Sequence, residues 1–171
     1  MRENSSNFTA QDVPRFMGEL AVAESRNLAA RLRRASERMN ELAARVPDEP
    51  RGDGEWNAKE ILAHVVVLSH AYGIFSYMIA TGRLPELNLG DVISQRDAEG
   101  DKYMAMTAAE CAAEATKQHQ RTLKFLESAT PEQLQRQCRV EDGVVTAESI
   151  IRLPLVVHLE EHLAEMEKAL A

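Results

Sequence analysis

Two histidines near the end of the sequence have a spacing that predicts metal chemistry. His158 and His162 lie four residues apart in the segment VVHLEEHLAEME, whose apolar residues recur at helical spacing. On a helix, side chains four residues apart share one face, with their Cβ atoms about 5–6 Å apart. Two imidazoles in this arrangement can bind one divalent metal ion. Helices whose histidines bind nothing show the same spacing, so a third ligand is needed to favour a metal site.

His64 is the candidate for that third ligand. It shares a predicted helix face with Ile61, Leu68 and Phe75, which directs its ring toward the interior of the fold. Three inward imidazoles from two helices would form a divalent-metal site with an open coordination position. We interpret the two remaining histidines, His70 and His119, as structural or solvent-exposed residues.

Carboxylates near these histidines add two possible roles. The segment from His158 to His162 reads HLEEH and matches the H-x-x-E-H pattern of metal-dependent hydrolases, in which Glu161 would be the general base. Glu161 is therefore a candidate catalytic residue. A glutamate one helical turn from a ligand can also orient its ring from outside. Three glutamates have this spacing: Glu60, Glu161 and Glu165.

Long amphipathic helices are the predicted elements that position these residues. Apolar residues at alternating spacings of four and three predict a first helix from Val13 to Val46. A loop rich in proline, glycine and acids follows over residues 47–55. Asn57 and Glu60 then form a capping-box pattern, which predicts a second helix that ends near Thr81-Gly82.

The connection between Gly82 and Thr107 is much longer than the usual link between antiparallel neighbours in a bundle. A helix of 24 residues is about 36 Å long, and a connection of this length can cross that distance. We therefore expect an overhand crossover that starts the next helix parallel to the second. Its residues Tyr103, Met104 and Met106 are candidates for the wall or lid of a pocket.

Thr107 begins a further capping-box pattern, which predicts a third helix that ends near Ser128. Thr130-Pro131 predicts a short helical turn, and Asp142-Gly143 predicts a small hairpin or turn. The last helix should begin after Thr146.

Proline at position 154 should kink or restart the last helix. Four long helices predict an all-α four-helix bundle that forms a single domain over residues 1–171, with a flexible N-terminus at residues 1–10.

Composition narrows the classes of partner. Among 171 residues, 44% are hydrophobic and only 5% aromatic, which favours helices, and the net charge is −7. An acidic surface opposes binding to nucleic acid or to an anionic membrane, so we expect neither as a partner. We expect a cytoplasmic protein, because no apolar run suits a signal peptide or a membrane span. Cys111 and Cys138 are expected to be unpaired thiols.

Several segments together resemble the DinB/YfiT-like superfamily. The resemblance extends over nearly the whole chain and rests on the order and spacing of a tryptophan, Lys-Glu, a helical histidine and a distant HxxxH. It implies an up-down-down-up four-helix bundle with a crossover between helices 2 and 3. It also implies that the metal ligands are His64, His158 and His162. The segments that carry the resemblance are DGEWNAKEILAHV, SQRDAEGDKYMAMTAAE, FLESATPEQL and HLEEH.

The resemblance also implies an activity. Characterised members include bacillithiol S-transferases and mycothiol-dependent enzymes such as a maleylpyruvate isomerase. We therefore expect a zinc or nickel ion that activates a small-molecule thiol for attack on an electrophilic substrate, with a homodimer as the expected assembly. Two alternatives stay open: a metal-dependent hydrolase with Glu161 as base, and a metal- or ligand-binding protein without catalysis.

Overall fold

Helices form most of the computed structural model, which describes residues 9–48, 56–88, 90, 94 and 100–171. Residues 1–8 of the predicted flexible N-terminus, most of the first predicted loop and the middle of the crossover lie outside the described residues. The helices are α1 (Asp12–Ala43), α2 (Ala58–Ala80), α3 (Ala108–Ser128), α4 (Pro131–Leu134), α5 (Ala147–Ile150), a π-helical segment (Ile151–Val157) and α6 (His158–Ala169). The last three are continuous and are called the C-terminal helix below.

Local capping accounts for where the helices begin. The Asn57 side chain accepts hydrogen bonds from the backbone N–H groups of Lys59 and Glu60, and the Glu60 carboxylate accepts the Asn57 N–H in return. Thr107 and Glu110 form the same reciprocal pair at the start of α3. Each such cap is worth about 1 kcal/mol, because it satisfies N–H groups that have no partner within the helix. Both predicted capping boxes are confirmed.

Ion pairs show that α1 and the C-terminal helix run in the same direction. Arg152 binds Glu24 at 2.6 Å, and Arg31 binds Glu160 at 2.5 Å, so residue numbers increase together along the two helices. Pairs that remain partly exposed contribute at most about 1 kcal/mol each. Their main effect is therefore to define the register between the two helices.

Hydrogen bonds between α1 and α3 give the opposite result. The Ser25 hydroxyl donates to the carbonyl of Leu126 at 2.9 Å, whereas Ser36, further along α1, contacts His119 at 3.0 Å. Residue numbers thus increase along α1 as they decrease along α3. The two helices are antiparallel.

Contacts between α2 and α3 complete the topology. Lys59, at the start of α2, donates to the carbonyl of Met106 just before α3, and Tyr77 near the end of α2 meets Phe125 near the end of α3. The two helices are therefore parallel, which requires the chain to cross the length of the bundle between them. The predicted up-down-down-up bundle and its crossover between helices 2 and 3 are confirmed.

A small sheet lies at the end of the bundle where α2 finishes. Strands β2 (Gln137–Val140) and β3 (Gly143–Thr146) are antiparallel and form the predicted hairpin, with Glu141 in a left-handed conformation at φ 50°. Strand β1 (Glu86–Leu87) adds in parallel to β2. The sequence did not predict β1, because two residues are too few to show alternation. The sheet packs on a second apolar cluster: Ile79, Ala80, Leu87, Cys138, Ala147 and Ile150.

The C-terminal helix widens where Pro154 interrupts it. Pro154 lies inside the π-helical segment, so the predicted kink or restart takes the form of a π segment within a continuous helix. From Glu24 to Arg31, α1 advances seven residues, while the C-terminal helix advances eight between their partners. The π segment thus absorbs one extra residue, and π insertions of this kind often occur beside functional sites. It sets the rotation of the helix that follows.

Among the described residues, α2 is the helix whose length and hydropathy would also suit a membrane span. Half of its apolar window is buried in the bundle, where α2 packs against α3 and the C-terminal helix. Core packing therefore accounts for its apolar character.

Candidate metal centre

The fold brings the three predicted histidines into one cluster. His64 lies in the second turn of α2, and His158 and His162 lie in the first two turns of α6. One ring nitrogen from each histidine lies within 4.8 Å of the others. The ring centroids of His158 and His162 are 4.4 Å apart, and those of His64 and His162 are 4.8 Å apart.

The two nitrogens of His162 have different environments. Its ring is 8% exposed, and Nδ1 donates to Oε2 of Glu165 at 2.7 Å. Because the carboxylate can only accept this hydrogen bond, the proton of the neutral ring is on Nδ1 and the lone pair is on Nε2. Nε2 is buried and, within the described part of the chain, has no hydrogen-bond partner. Buried polar atoms are nearly always satisfied, so this nitrogen indicates a site for a missing ligand.

His158 is also prepared to bind as a neutral ring. Burial lowers its pKa, and the neighbouring His162 lowers the pKa further, while Glu161 and Glu165 oppose the shift. A lowered pKa favours the neutral imidazole near pH 7. That is the form that donates a lone pair to a metal ion.

The spacing of the three rings fits a metal ion after a small closure. An ion about 2.1 Å from each nitrogen holds any two nitrogens at most about 4.2 Å apart. The separation of up to 4.8 Å therefore requires the rings to move together by roughly half an ångström or more. His64 and His158 are half-buried, which leaves their side chains room to rotate.

A cavity of about 400 Å³ opens beside His64. Trp56 forms one wall: its ring meets His64 edge-on at 4.9 Å and stacks over His162 at 6.1 Å. Met104, from the end of the crossover, lines the cavity as predicted. Small-molecule sites commonly have this size and combine apolar walls with a few polar groups. The cluster is therefore next to a space that can hold a substrate.

A sequence model of the DinB superfamily matches residues 27–166, a range that contains all three histidines and the crossover. The chain belongs to the DinB superfamily. No curated protein and no solved structure matches the chain. Family membership and the three-histidine cluster together fit metal binding in this DinB protein.

The three glutamates predicted near the DinB site have separate positions. Glu165 accepts a hydrogen bond from Nδ1 of His162 and so orients that ring, which is the contact that a ligand-orienting glutamate would make. Glu60 forms the cap of α2 and also lines the cavity. Glu161 is exposed and influences His158 electrostatically. Its catalytic role stays a prediction.

The other two histidines lie away from the metal cluster, as predicted. His119 is buried and contacts two serine hydroxyls, Ser69 Oγ at 2.8 Å and Ser36 Oγ at 3.0 Å, so it is a structural residue rather than a solvent residue. His70 lies 3.5 Å from the hydroxyl of Tyr103, which is itself 1% exposed. Tyr103 is thus a core residue and not part of the cavity wall.

Sequence reasoning assigned no separate role to Trp56, which lines the cavity, or to Lys59, in the first turn of α2. Lys59 is 1% exposed, and its ammonium donates to the carbonyl of Met106, which ties the end of the crossover to the start of α2. A signal for its burial exists, since Lys59 precedes Leu62 and Val66 at helical spacing on the apolar face. Trp56 precedes the helix, so periodicity carries no information about it.

Proposed function

We propose that this DinB protein binds a divalent metal ion through His64, His158 and His162 and transfers a low-molecular-weight thiol to an electrophilic substrate. The observation that carries the metal site is the buried Nε2 of His162, whose lone pair has no partner among the described residues. Burial of an acceptor without a partner costs about 1–3 kcal/mol. A bound cation would remove that cost.

The protein's own residues prepare the site for such an ion. Glu165 accepts a hydrogen bond from Nδ1–H of His162, so the lone pair that can bind a metal ion is on Nε2. The lowered pKa of His158 favours its neutral ring. Three imidazole ligands suit zinc or nickel and leave a coordination position open. When bound, the ion supplies Lewis acidity that lowers the pKa of a coordinated thiol.

The cavity supports a reaction with a small substrate. Trp56, Val67 and Met104 offer apolar surface for an electrophile within reach of the histidines, and Glu60 and Asp101 place carboxylates on the cavity wall. Such walls would hold a substrate near the ion. The thiol as co-substrate rests on the resemblance to characterised DinB/YfiT-like enzymes.

A metal-dependent hydrolase is the alternative. It would use Glu161 as general base, and the electrostatic interaction of Glu161 with His158 is the observation in its favour. The pairing of Glu165 with His162 instead favours a role for the glutamates in holding the ligands. If Glu161→Gln abolishes an ester or amide hydrolysis while metal content stays unchanged, the hydrolase function replaces the transferase.

The first test is elemental analysis of protein purified without chelator, beside a His64→Ala, His158→Ala, His162→Ala triple variant. We expect close to one equivalent of zinc or nickel in the native protein and none in a folded triple variant. Equal metal content in the two proteins would exclude the proposed site.

A second test addresses the thiol. Cobalt-substituted protein should gain a thiolate-to-cobalt charge-transfer band when bacillithiol, mycothiol or cysteine is added, and the triple variant should not. A fluorogenic electrophile then reports the transfer itself. A metal-loaded protein that shows no band and no transfer with any of these thiols would be a binding protein without this activity.

A further inference from the structure

A second cavity lies between α2 and α3, away from the metal centre. It has a volume of about 400 Å³, and the α2 residues that line it lie between Gly73 and Tyr77. At a rise of 1.5 Å per residue, these positions are roughly 14–20 Å along α2 from His64. The groove is therefore separate from the proposed metal site.

Exposed apolar side chains form the floor of this groove. Ile74 is 41% exposed and Tyr77 is 44% exposed, although both lie on a helix that is otherwise a core element. Phe125 of α3 meets Tyr77 edge-to-face, with ring centroids 5.9 Å apart. A continuous apolar surface of this kind loses contact with water when an apolar ligand covers it.

The charged residues of the groove have one sign. Arg121 and Lys124 line it and are exposed, and no carboxylate is found among the described residues that line it. Arg121 donates to the neutral amide oxygen of Gln118 at 3.0 Å. In the described part of the chain, neither cation forms an ion pair. Other exposed cations in that part, among them Arg34 and Lys168, also form none, but they do not line this groove.

Two cations without an ion pair thus lie beside an apolar floor, on a chain whose net charge is −7. Among the described acids, Glu114 interacts electrostatically with Arg121, but Glu114 does not line the groove and forms its ion pair with Lys117 at 3.3 Å. An anionic group on a ligand would supply the missing partner, and a guanidinium binds a carboxylate through two parallel hydrogen bonds. The charge pattern therefore selects the sign of the ligand.

We propose that the groove binds small apolar carboxylates. The hydrocarbon or aromatic part covers Ile74, Tyr77 and Phe125, and the carboxylate is held by Arg121 and Lys124. A volume of about 400 Å³ accommodates one molecule of the size of a medium-chain fatty acid or an aromatic acid.

Calorimetric titration with decanoate, below its micelle concentration, tests this proposal. Decyltrimethylammonium has the same chain length and the opposite charge, so it separates the role of the cations from that of the apolar floor. We expect saturable binding of one decanoate per chain, with affinity at least about tenfold above that for decyltrimethylammonium. Equal affinity for the two probes, or decanoate uptake that does not saturate, would overturn the proposal.

Charge reversal locates the site. Arg121→Glu combined with Lys124→Glu should weaken decanoate binding by about tenfold or more. The matched control reverses two exposed cations elsewhere, Arg34→Glu with Lys168→Glu, and changes the net charge equally. It should leave the affinity within about twofold. Similar losses in both double variants would mean that net charge, and not the groove, controls binding.

The titrations are made with chelator-treated protein and repeated with the triple histidine variant. This step excludes binding of the carboxylate to a metal ion, since decanoate is itself a metal ligand. Unchanged decanoate affinity in the triple variant is expected. Loss of binding in that variant, with its circular dichroism spectrum intact, would assign the probe to the histidine cluster and overturn the groove site.

Discussion

Two buried histidines in this DinB protein, His119 and His162, differ in how many of their ring nitrogens have a hydrogen-bond partner. His119 is 1% exposed and has a serine hydroxyl at each ring nitrogen. His162 is 8% exposed and has a carboxylate at one nitrogen only. Burial does not separate the two cases. The nitrogen without a partner does, and it is this atom that indicates a ligand.

The hydrogen bonds around His119 form a closed set. The Ser69 hydroxyl donates to the carbonyl of Val65 at 2.7 Å, so its oxygen accepts from Nε2–H of His119. Nδ1 therefore carries the lone pair and accepts from the hydroxyl of Ser36. No lone pair is left for a metal ion. The same residue type is thus a structural element of the core in one place and a candidate ligand in another.

The largest expected effect is on metal affinity. His162→Ala should lower the affinity for zinc by about 1000-fold or more, because it removes one of the three proposed ligands. His119→Gln should change the affinity by less than about threefold. Competition with a chromophoric chelator measures both values. A large loss in His119→Gln and none in His162→Ala would reverse the assignment of the two histidines.

Stability should show the opposite order in metal-free protein. His119→Ala is expected to lower the free energy of unfolding by about 3–4 kcal/mol, because it leaves a cavity in the core and removes the hydrogen-bond partner of the Ser36 hydroxyl. His162→Ala should change it by less than about 1 kcal/mol, because the lost packing of the ring is offset by the removal of a buried nitrogen without a partner among the described residues. Urea denaturation with chelator present gives both values.

The pH dependence of stability sharpens the same comparison. Burial lowers the pKa of His119 to about 4, whereas the unfolded chain binds the proton near pH 6.5. Its contribution is therefore complete above pH 6.5 and is lost as the pH falls toward 4. The loss is on the order of 3 kcal/mol.

Urea denaturation of the metal-free protein at several pH values measures this loss, and the His119→Gln variant should show a smaller slope over the same range. NMR titration of His119 gives the direct comparison. A ring that becomes protonated near pH 6.5 in the folded protein would contradict the closed hydrogen-bond set.

A pair of glutamates one helical turn from the ligands gives the smallest predicted effect. Glu165→Gln should lower zinc affinity by about 10–100-fold, because Glu165 orients the His162 ring and fixes its tautomer. Glu161→Gln is the matched control, since Glu161 is exposed on the same helix, and it should change affinity by less than about threefold. Equal losses in the two variants would show that overall negative charge matters more than the hydrogen bond.

Local chemistry explains how much of the fold could be predicted. The starts of α2 and α3 were predicted because Asn57 and Thr107 cap them through residues three positions away. The spacing of His158 and His162 is likewise local and needs only the geometry of one helix. The π-helical segment, by contrast, was predicted only as a disturbance at Pro154, because its form depends on the register with α1, which is not local.

The sequence by itself determined the helices, their caps and the residue types that can bind a metal ion. Tertiary structure alone decided which nitrogens are satisfied. The partners of His119 come from α1 and α2, while His64 lies near His158 and His162 only because α2 packs beside the C-terminal helix. Hydrogen bonds between distant segments depend on how the helices pack. The periodicity of apolar residues shows which face of a helix is buried, but it does not show which atoms of the neighbouring helices lie against that face.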